Sequence, residues 1–257
     1  MSDFDYSSHM EIDPDELMST LAELLKHGKH VLAYGPPGTG KTSLAHKIAK
    51  LLKGSHAYAV QCHEEMSQSE LIVQYLPSPE GGVLVMQGAA VKGWVEGSMV
   101  VFDEINHIVG SPAMSTFYRI CDDPGIASFL LPDGTVITPQ KGFSVWATMN
   151  GDPRELPEAV LDRFHYTLCM WRPSREMVDS LPTVLQKVPA LAYQNPNDPF
   201  PTFRDVKNFG NSCEAMSVSP AAVTDETVKV IAKLIWGPRW TEALHVVEVA
   251  NREEARF

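Results

Sequence analysis

Short apolar runs alternate along the first two-thirds of the chain with stretches whose apolar residues return every three or four positions. His30-Val31-Leu32-Ala33-Tyr34 is the first such run, and Gly35-Pro36-Pro37-Gly38 halts it before a helical stretch from Lys41 to about Lys53. Residues 57–62, 98–103, 143–149 and 165–170 read as further strands, with helices over 68–76 and 113–121 between them. Unbroken apolar runs separated by helices are the pattern of strands covered on both faces. The prediction is therefore an α/β fold built on a five-stranded parallel sheet flanked by helices. Ahead of the sheet, Asp13-Pro14-Asp15-Glu16 offers an N-cap, a proline at the first helical position and early acids, followed by Leu17, Leu21, Leu24 and Leu25 on one face.

Beyond Pro173 the strand pattern stops, and helical segments are predicted near 174–188, 202–212, 224–236 and 239–253. The expected organisation is a flexible polar arm (1–12), an α/β core (13–172) and a small α-helical domain (173–257). Two glycine-marked segments inside the core read as hairpins. One runs from Gly81-Gly82-Val83-Leu84-Val85 to Gly93-Trp94-Val95, and the other from Ala127 to Ile137 with its turn at Asp133-Gly134.

A chain of 257 residues buries a full-sized core without staples. Its formal charge of −11 repels phosphate backbones, which disfavours general nucleic-acid binding. No apolar run is long enough to cross a bilayer, and the acidic start Met1-Ser2-Asp3-Phe4-Asp5 is unlike a signal peptide, so no membrane role and a cytoplasmic location are expected. Cys62, Cys121, Cys169 and Cys213 are widely spaced with no C-x-x-C pair, and read as reduced structural thiols. Cys62-His63 is not expected to bind metal, because neighbours on a strand point to opposite faces.

The chemistry concentrates in Gly35-Pro36-Pro37-Gly38-Thr39-Gly40-Lys41-Thr42, a G-x-x-x-x-G-K-[ST] pattern placed between a strand and a helix. Such a loop turns successive main-chain N–H groups around phosphates at a helix start. Gly35 to Ser43 are therefore candidate nucleotide contacts, with Lys41 on the β and γ oxygens and the Thr42 hydroxyl on Mg²⁺. Met99-Val100-Val101-Phe102-Asp103-Glu104 ends a buried strand with two carboxylates: Asp103 would hold the metal through water and Glu104 would polarise an attacking water. Asn150 ends another apolar strand, where it would meet the γ-phosphate or that water. Arg163 follows Leu156-Pro157-Glu158-Ala159-Val160-Leu161-Asp162, and Arg204 opens a later helix in Thr202-Phe203-Arg204.

Taken in this order, the phosphate loop, the Asp-Glu strand, Ala147-Thr148-Met149-Asn150, the Leu-Pro-Glu-Ala-x-Leu-Asp-Arg-Phe run and the late Thr-x-Arg resemble an AAA+ ATPase of the MoxR and dynein-related group over residues 15–210. Gln87 to Trp94 is similar to that group's helix-2 insertion, and Leu131 to Pro139 to its pre-sensor hairpin. The resemblance implies ATP and Mg²⁺ as ligands and a P-loop NTPase core followed by a helical lid. Lys41 and Thr42 then belong to Walker A, Asp103 and Glu104 to Walker B, and Asn150 is sensor 1. Arg163 becomes an arginine finger acting on a neighbour's nucleotide, with Arg154 and Arg119 as rivals. Arg204 is the sensor 2 candidate, or else an arginine on a solvated face. It further implies a homo-oligomeric ring, typically hexameric, that remodels or activates a protein client or adaptor as a MoxR-like chaperone. A P-loop kinase acting on a small acceptor and a nucleotide-gated binding module with negligible turnover are the alternatives. Trp94, Phe129, Leu130 and Leu131 are candidates to grip a client, or else pack beneath their loops.

Overall fold

The computed structural model describes residues 14–52, 57–131, 134–195 and 198–252; the polar arm, the Asp13 cap and the Pro132-Asp133 part of the second turn lie outside them. Helix α1 (Pro14–Lys26) leads to strand β1 (Val31–Tyr34), helix α2 (Lys41–Leu51) and strand β2 (Tyr58–Gln61). Then come α3 (Gln68–Leu71), β3 (Val73–Pro77), β4 (Val83–Gln87), α4 (Ala89–Glu96) and β5 (Met99–Asp103). The stretch α5 (Met114–Ile120), β6 (Phe129–Leu130), β7 (Val136–Ile137), β8 (Ser144–Met149), α6 (Glu158–Leu161) and β9 (Tyr166–Cys169) completes the strands. Helices α7 (Arg175–Asp179), α8 (Val188–Ala192), α9 (Phe203–Ala215), α10 (Glu226–Trp236) and α11 (Trp240–Arg252) finish the chain.

All five strands read from the apolar runs join one sheet, in the order β2-β5-β8-β1-β9. β5 pairs in parallel with both neighbours, setting Gln61 opposite Asp103 and Val101 opposite Trp146. The inner strands are buried along their length, as unbroken apolar runs require, whereas the edge strands β2 and β9 leave Ala59, Tyr166 and Thr167 exposed.

The chain packs as two compact units. One comprises the stretch ending at Leu32, together with Thr42–Thr148 and Leu156–Thr167; the other comprises Ala33–Lys41, Met149–Glu155 and the chain from Leu168 onward. The second unit has its own apolar centre, in which Val206, Phe209, Ala232, Trp236 and Val247 from α9, α10 and α11 meet, with the Phe209 and Trp236 rings 4.6 Å apart. Ser174, Thr202 and Asp225 cap α7, α9 and α10 by accepting hydrogen bonds from main-chain N–H groups of the first turn.

Three expectations are corrected. The helix over 68–76 stops at Leu71, because the β-favouring Val73-Gln74-Tyr75 run pairs antiparallel with Val83–Gln87 across a Gly81-Gly82 turn. Gly93-Trp94-Val95 is accordingly no strand: it lies in α4, which Gly88 opens and a left-handed Gly97 closes. The helix over 174–188 is broken into α7, a 3₁₀ turn at Thr183–Leu185 and α8, since Pro182 cannot continue a helix and Pro189 starts one. The second hairpin forms as expected between β6 and β7. Trp94, Phe129 and Leu131 pack inward, and only Leu130 of the four proposed gripping residues stands exposed, at 71%. The four cysteines are free, and the buried Cys62 thiol is pushed up to about 12 by desolvation and the nearby Asp103 and Glu104 charges.

His30 ties β1 into the first unit. Its ring accepts the Val145 N–H at Nδ1 (3.1 Å), so its proton sits on Nε2, and its own main-chain N–H donates to His165 Nδ1 (3.1 Å). Burial, with His165 adding to it, lowers the His30 pKa to about 3. The unfolded chain takes up a proton near pH 6.5 that the folded ring refuses, so this histidine withdraws stability as pH falls from 6.5 toward 3. Denaturant titrations should show a loss of roughly 1 kcal/mol per pH unit below 6. His30→Asn keeps an acceptor for Val145 but cannot titrate, and should flatten that slope.

Candidate functional site

Within the second unit, the segment from Gly35 to Lys41 links β1 to α2. Pro36 and Pro37 have no N–H to donate, so the loop's donors begin at Gly38. Pro37 and Gly38 form a turn that points the Thr39 N–H back toward the Pro36 carbonyl, and among the described residues the N–H groups of Gly38 and Gly40 meet no main-chain acceptor. The buried Thr39 hydroxyl donates to the Pro36 carbonyl (3.0 Å) and fixes the turn. Lys41 is buried, and its Nζ donates to the carbonyls of Gly35 (2.9 Å) and Pro36 (2.8 Å) and to Asn150 Oδ1 (2.8 Å). Thus two of the predicted residues, Lys41 and Asn150, are brought into direct contact. The first turn of α2 holds no acidic residue, leaving the positive end of its dipole uncompensated within the helix. Ser43 follows on that helix, exposed.

The acid pair sits in the first unit at the C-terminal end of β5. Thr42 Oγ1 donates to Asp103 Oδ1 at 2.7 Å, so the predicted hydroxyl and carboxylate also meet. Thr148, on the neighbouring strand β8, donates to the same Asp103 oxygen and accepts the Glu104 main-chain N–H at 3.1 Å. Its hydroxyl therefore holds both acids. Glu104 has φ of 57°, a left-handed conformation that a side chain disfavours by roughly 1–2 kcal/mol. That twist ends the strand and brings Glu104 to the wall of an open cleft of about 530 Å³, lined also by Gln61, Cys62, His63, Glu64, Glu65 and His107. Sequence reasoning passed over Thr148; the available signal was a polar residue in a fully buried strand beside the Asp-Glu end.

The arginines stand differently. Arg163 Nη2 pairs with Asp122 Oδ1 at 3.0 Å, its guanidinium carbon lies 5.4 Å from the centre of the Tyr118 ring, and its buried Nε has no partner among the described residues. Arg154 is exposed and pairs with Asp152, two residues before it. Arg119, also exposed, lies over the Phe129 ring. Arg204 is exposed in the first turn of α9; its main-chain nitrogen lies 3.4 Å from the point a Cβ on Gly38 would occupy. Among the described residues no group of three or more His, Cys, Asp and Glu is arranged to hold a metal.

A phosphate-loop lysine after β1, an Asp-Glu end on β5 and an asparagine after β8, in this order along the chain, mark the region from His30 to Phe164 of a fold with a β2-β5-β8-β1-β9 sheet. Residues 30–164 match the AAA domain of the dynein-related subfamily. The chain belongs to that family. Over 96 residues this AAA domain is 32% identical to the vesicular-fusion protein SEC18 of Candida albicans, a match covering 34% of the chain and 11% of that protein. Over 72 residues it is 35% identical to the type IV methyl-directed restriction enzyme EcoKMcrB subunit of Escherichia coli K12, covering 26% and 16% respectively. The chain thus spans a small part of these relatives. Among solved structures, the RuvB Holliday junction branch migration motor of Thermotoga maritima superposes with a TM-score of 0.50 at 17% identity, covering 86% of this chain and 67% of that one, a likeness of fold.

Replacing Thr148 by the similarly shaped valine leaves the Glu104 N–H and one Asp103 oxygen without that partner. Chemical denaturation should find the AAA domain less stable by about 1–3 kcal/mol, with an unchanged far-UV spectrum.

Proposed function

We propose that this AAA domain binds and hydrolyses ATP with Mg²⁺, as one subunit of a ring that remodels or activates a protein partner in the manner of MoxR-like chaperones. The reading is carried by the unengaged N–H groups of Gly38 and Gly40 in a glycine loop beside a buried ammonium at a helix start. An array of donors of this kind suits a multiply charged anion. Lys41 would exchange its carbonyl and amide oxygens for the β and γ phosphate oxygens, and the main-chain donors would take the rest of the phosphate chain.

Thr42 follows Lys41 in the phosphate-loop motif, and its hydroxyl and the Asp103 carboxylate, already 2.7 Å apart, would hold Mg²⁺. Both are hard oxygen donors that suit Mg²⁺, which needs only one or two protein oxygens besides phosphate and water. Bound there, the ion would supply charge neutralisation on the β and γ oxygens. Glu104 would take the proton of a water attacking the γ phosphorus. The bond from that phosphorus to the β–γ bridging oxygen breaks, and ADP and inorganic phosphate leave. A water-polarising carboxylate beside the metal-binding Asp103 would waste ATP in a kinase, which favours hydrolysis over phosphoryl transfer. Asn150, released by Lys41, would orient that water or the γ-phosphate. Arg163, presented at the surface by Asp122 and Tyr118, would stabilise transition-state charge on an adjoining subunit's nucleotide, and the assembly would be hexameric.

Three variants test the assignment, using a fluorescent ATP analogue for binding and phosphate release for turnover. Lys41→Ala should weaken binding at least tenfold. Glu104→Gln should keep affinity while phosphate release falls about 10² to 10⁴-fold, as expected for loss of a general base. Arg163→Ala should keep affinity and lose about 10³-fold or more in rate, and wild-type specific activity should rise with protein concentration. Undiminished phosphate release by Glu104→Gln would remove that residue from its role. A verified monomer at full activity would do the same for Arg163.

A further inference from the structure

The loop segment Ala33–Lys41 packs as part of the helical unit, and one of its polar ties there is a single hydroxyl. Tyr193, at the end of α8, is 1% exposed. Its OH donates to the Pro37 carbonyl at 2.9 Å and accepts the Phe203 N–H at 3.2 Å. Phe203 is the first residue of α9, where main-chain N–H groups have no partner within the helix. One oxygen thus satisfies an otherwise orphaned helix-end donor and fastens it to the phosphate loop. Pro37 can be held only through its carbonyl, since it has no N–H, and Gly38 beside it adopts φ of +79°. A side chain at Gly38 would crowd the Tyr193 hydroxyl at 3.3 Å and the Phe203 and Arg204 nitrogens at 3.4 Å, so the start of α9 runs against the loop at this point.

We propose that Tyr193 is a positioning residue whose hydroxyl locks the first turn of α9, and with it Arg204, to the Gly38 and Gly40 donors, so that occupation of the loop is felt at α9. This rests on the loop being the phosphate site. Gly38 is the first of the loop's unengaged donors, and it directly follows the carbonyl that Tyr193 holds. A phosphate drawn onto Gly38 and Gly40 fixes the Pro37–Gly38 peptide. Through Tyr193, that peptide fixes the Phe203 amide one residue before Arg204. Burial, with the nearby Asp205 charge, raises the Tyr193 pKa, which keeps the hydroxyl a donor at neutral pH.

The experiment compares wild type, Tyr193→Phe, Arg204→Ala and the double variant for affinity toward a fluorescent ATP analogue with Mg²⁺, alongside amide hydrogen exchange of the peptide spanning residues 203–210. Tyr193→Phe should weaken binding about tenfold, and the double variant should be no weaker than the worse single one, since both act on one element. In the wild type, nucleotide should slow exchange at the start of α9 at least fivefold, and Tyr193→Phe should abolish that slowing. A wild type that binds no nucleotide sinks the functional reading itself. A wild type that binds, while Tyr193→Phe binds equally well or the effects of the two substitutions simply add, overturns the role of Tyr193 alone. Should Tyr193→Phe not fold, exchange in the wild-type protein still decides: no nucleotide-dependent slowing at residues 203–206 refutes the coupling.

Discussion

An ammonium taken out of water must be surrounded by oxygen, and the loop that carries Lys41 is shaped by that demand. Two of the oxygens come from the loop's own carbonyls, at Gly35 and Pro36, and a third from Asn150. Curling the chain far enough for its carbonyls to face the lysine turns the Gly38 and Gly40 N–H groups away from them, and the prolines ensure that the first of these belongs to Gly38. The same curl therefore satisfies the cation and leaves these two donors without main-chain partners. Asp103 presents the complementary case in the first unit. A carboxylate at a strand end is held by two hydroxyls, from Thr42 and Thr148, and shares its second holder with the strained Glu104.

Much of this was legible in the amino-acid order. Each strand of the five-stranded sheet was readable as an apolar run, most plainly the inner ones, because strands covered on both faces carry few polar positions to confuse the pattern. The phosphate loop and the acid pair were legible because few residue types can do their work at that spacing. The hairpin of β3 and β4 was hidden by its own exposure. Val73, Tyr75 and Leu76 fall at positions that also suit a short helix, and only pairing with residues 83–87 decides between the two. Trp94 and Phe129 were ambiguous for the opposite reason: an aromatic in a short loop-flanked segment gives no sign of which side is covered, and here they stack on each other with ring centres 4.8 Å apart.

Thr148 and Tyr193 illustrate a second kind of invisibility. Neither belongs to a spacing rule, since each acts through one hydroxyl on a main-chain group of a distant segment, 44 residues away in one case and 156 in the other. Composition cannot flag such residues, because threonine in a strand and tyrosine at a helix end are ordinary. What marks them is burial combined with two hydrogen bonds from one oxygen, which requires coordinates.

The β3–β4 ribbon has a consequence for how the chain can vary. Val73 at its base is buried and Gly88 N–H closes on the Ile72 carbonyl, whereas Tyr75, Leu76 and Val83 to Met86 lie 40–65% exposed. Little of the core's stability is invested beyond that base, so the ribbon between Gln74 and Met86 is open to lengthening, shortening or wholesale exchange while α4 and β5 stay where they are. An isolated two-stranded ribbon with an apolar surface is a feature whose sequence folding alone does not constrain.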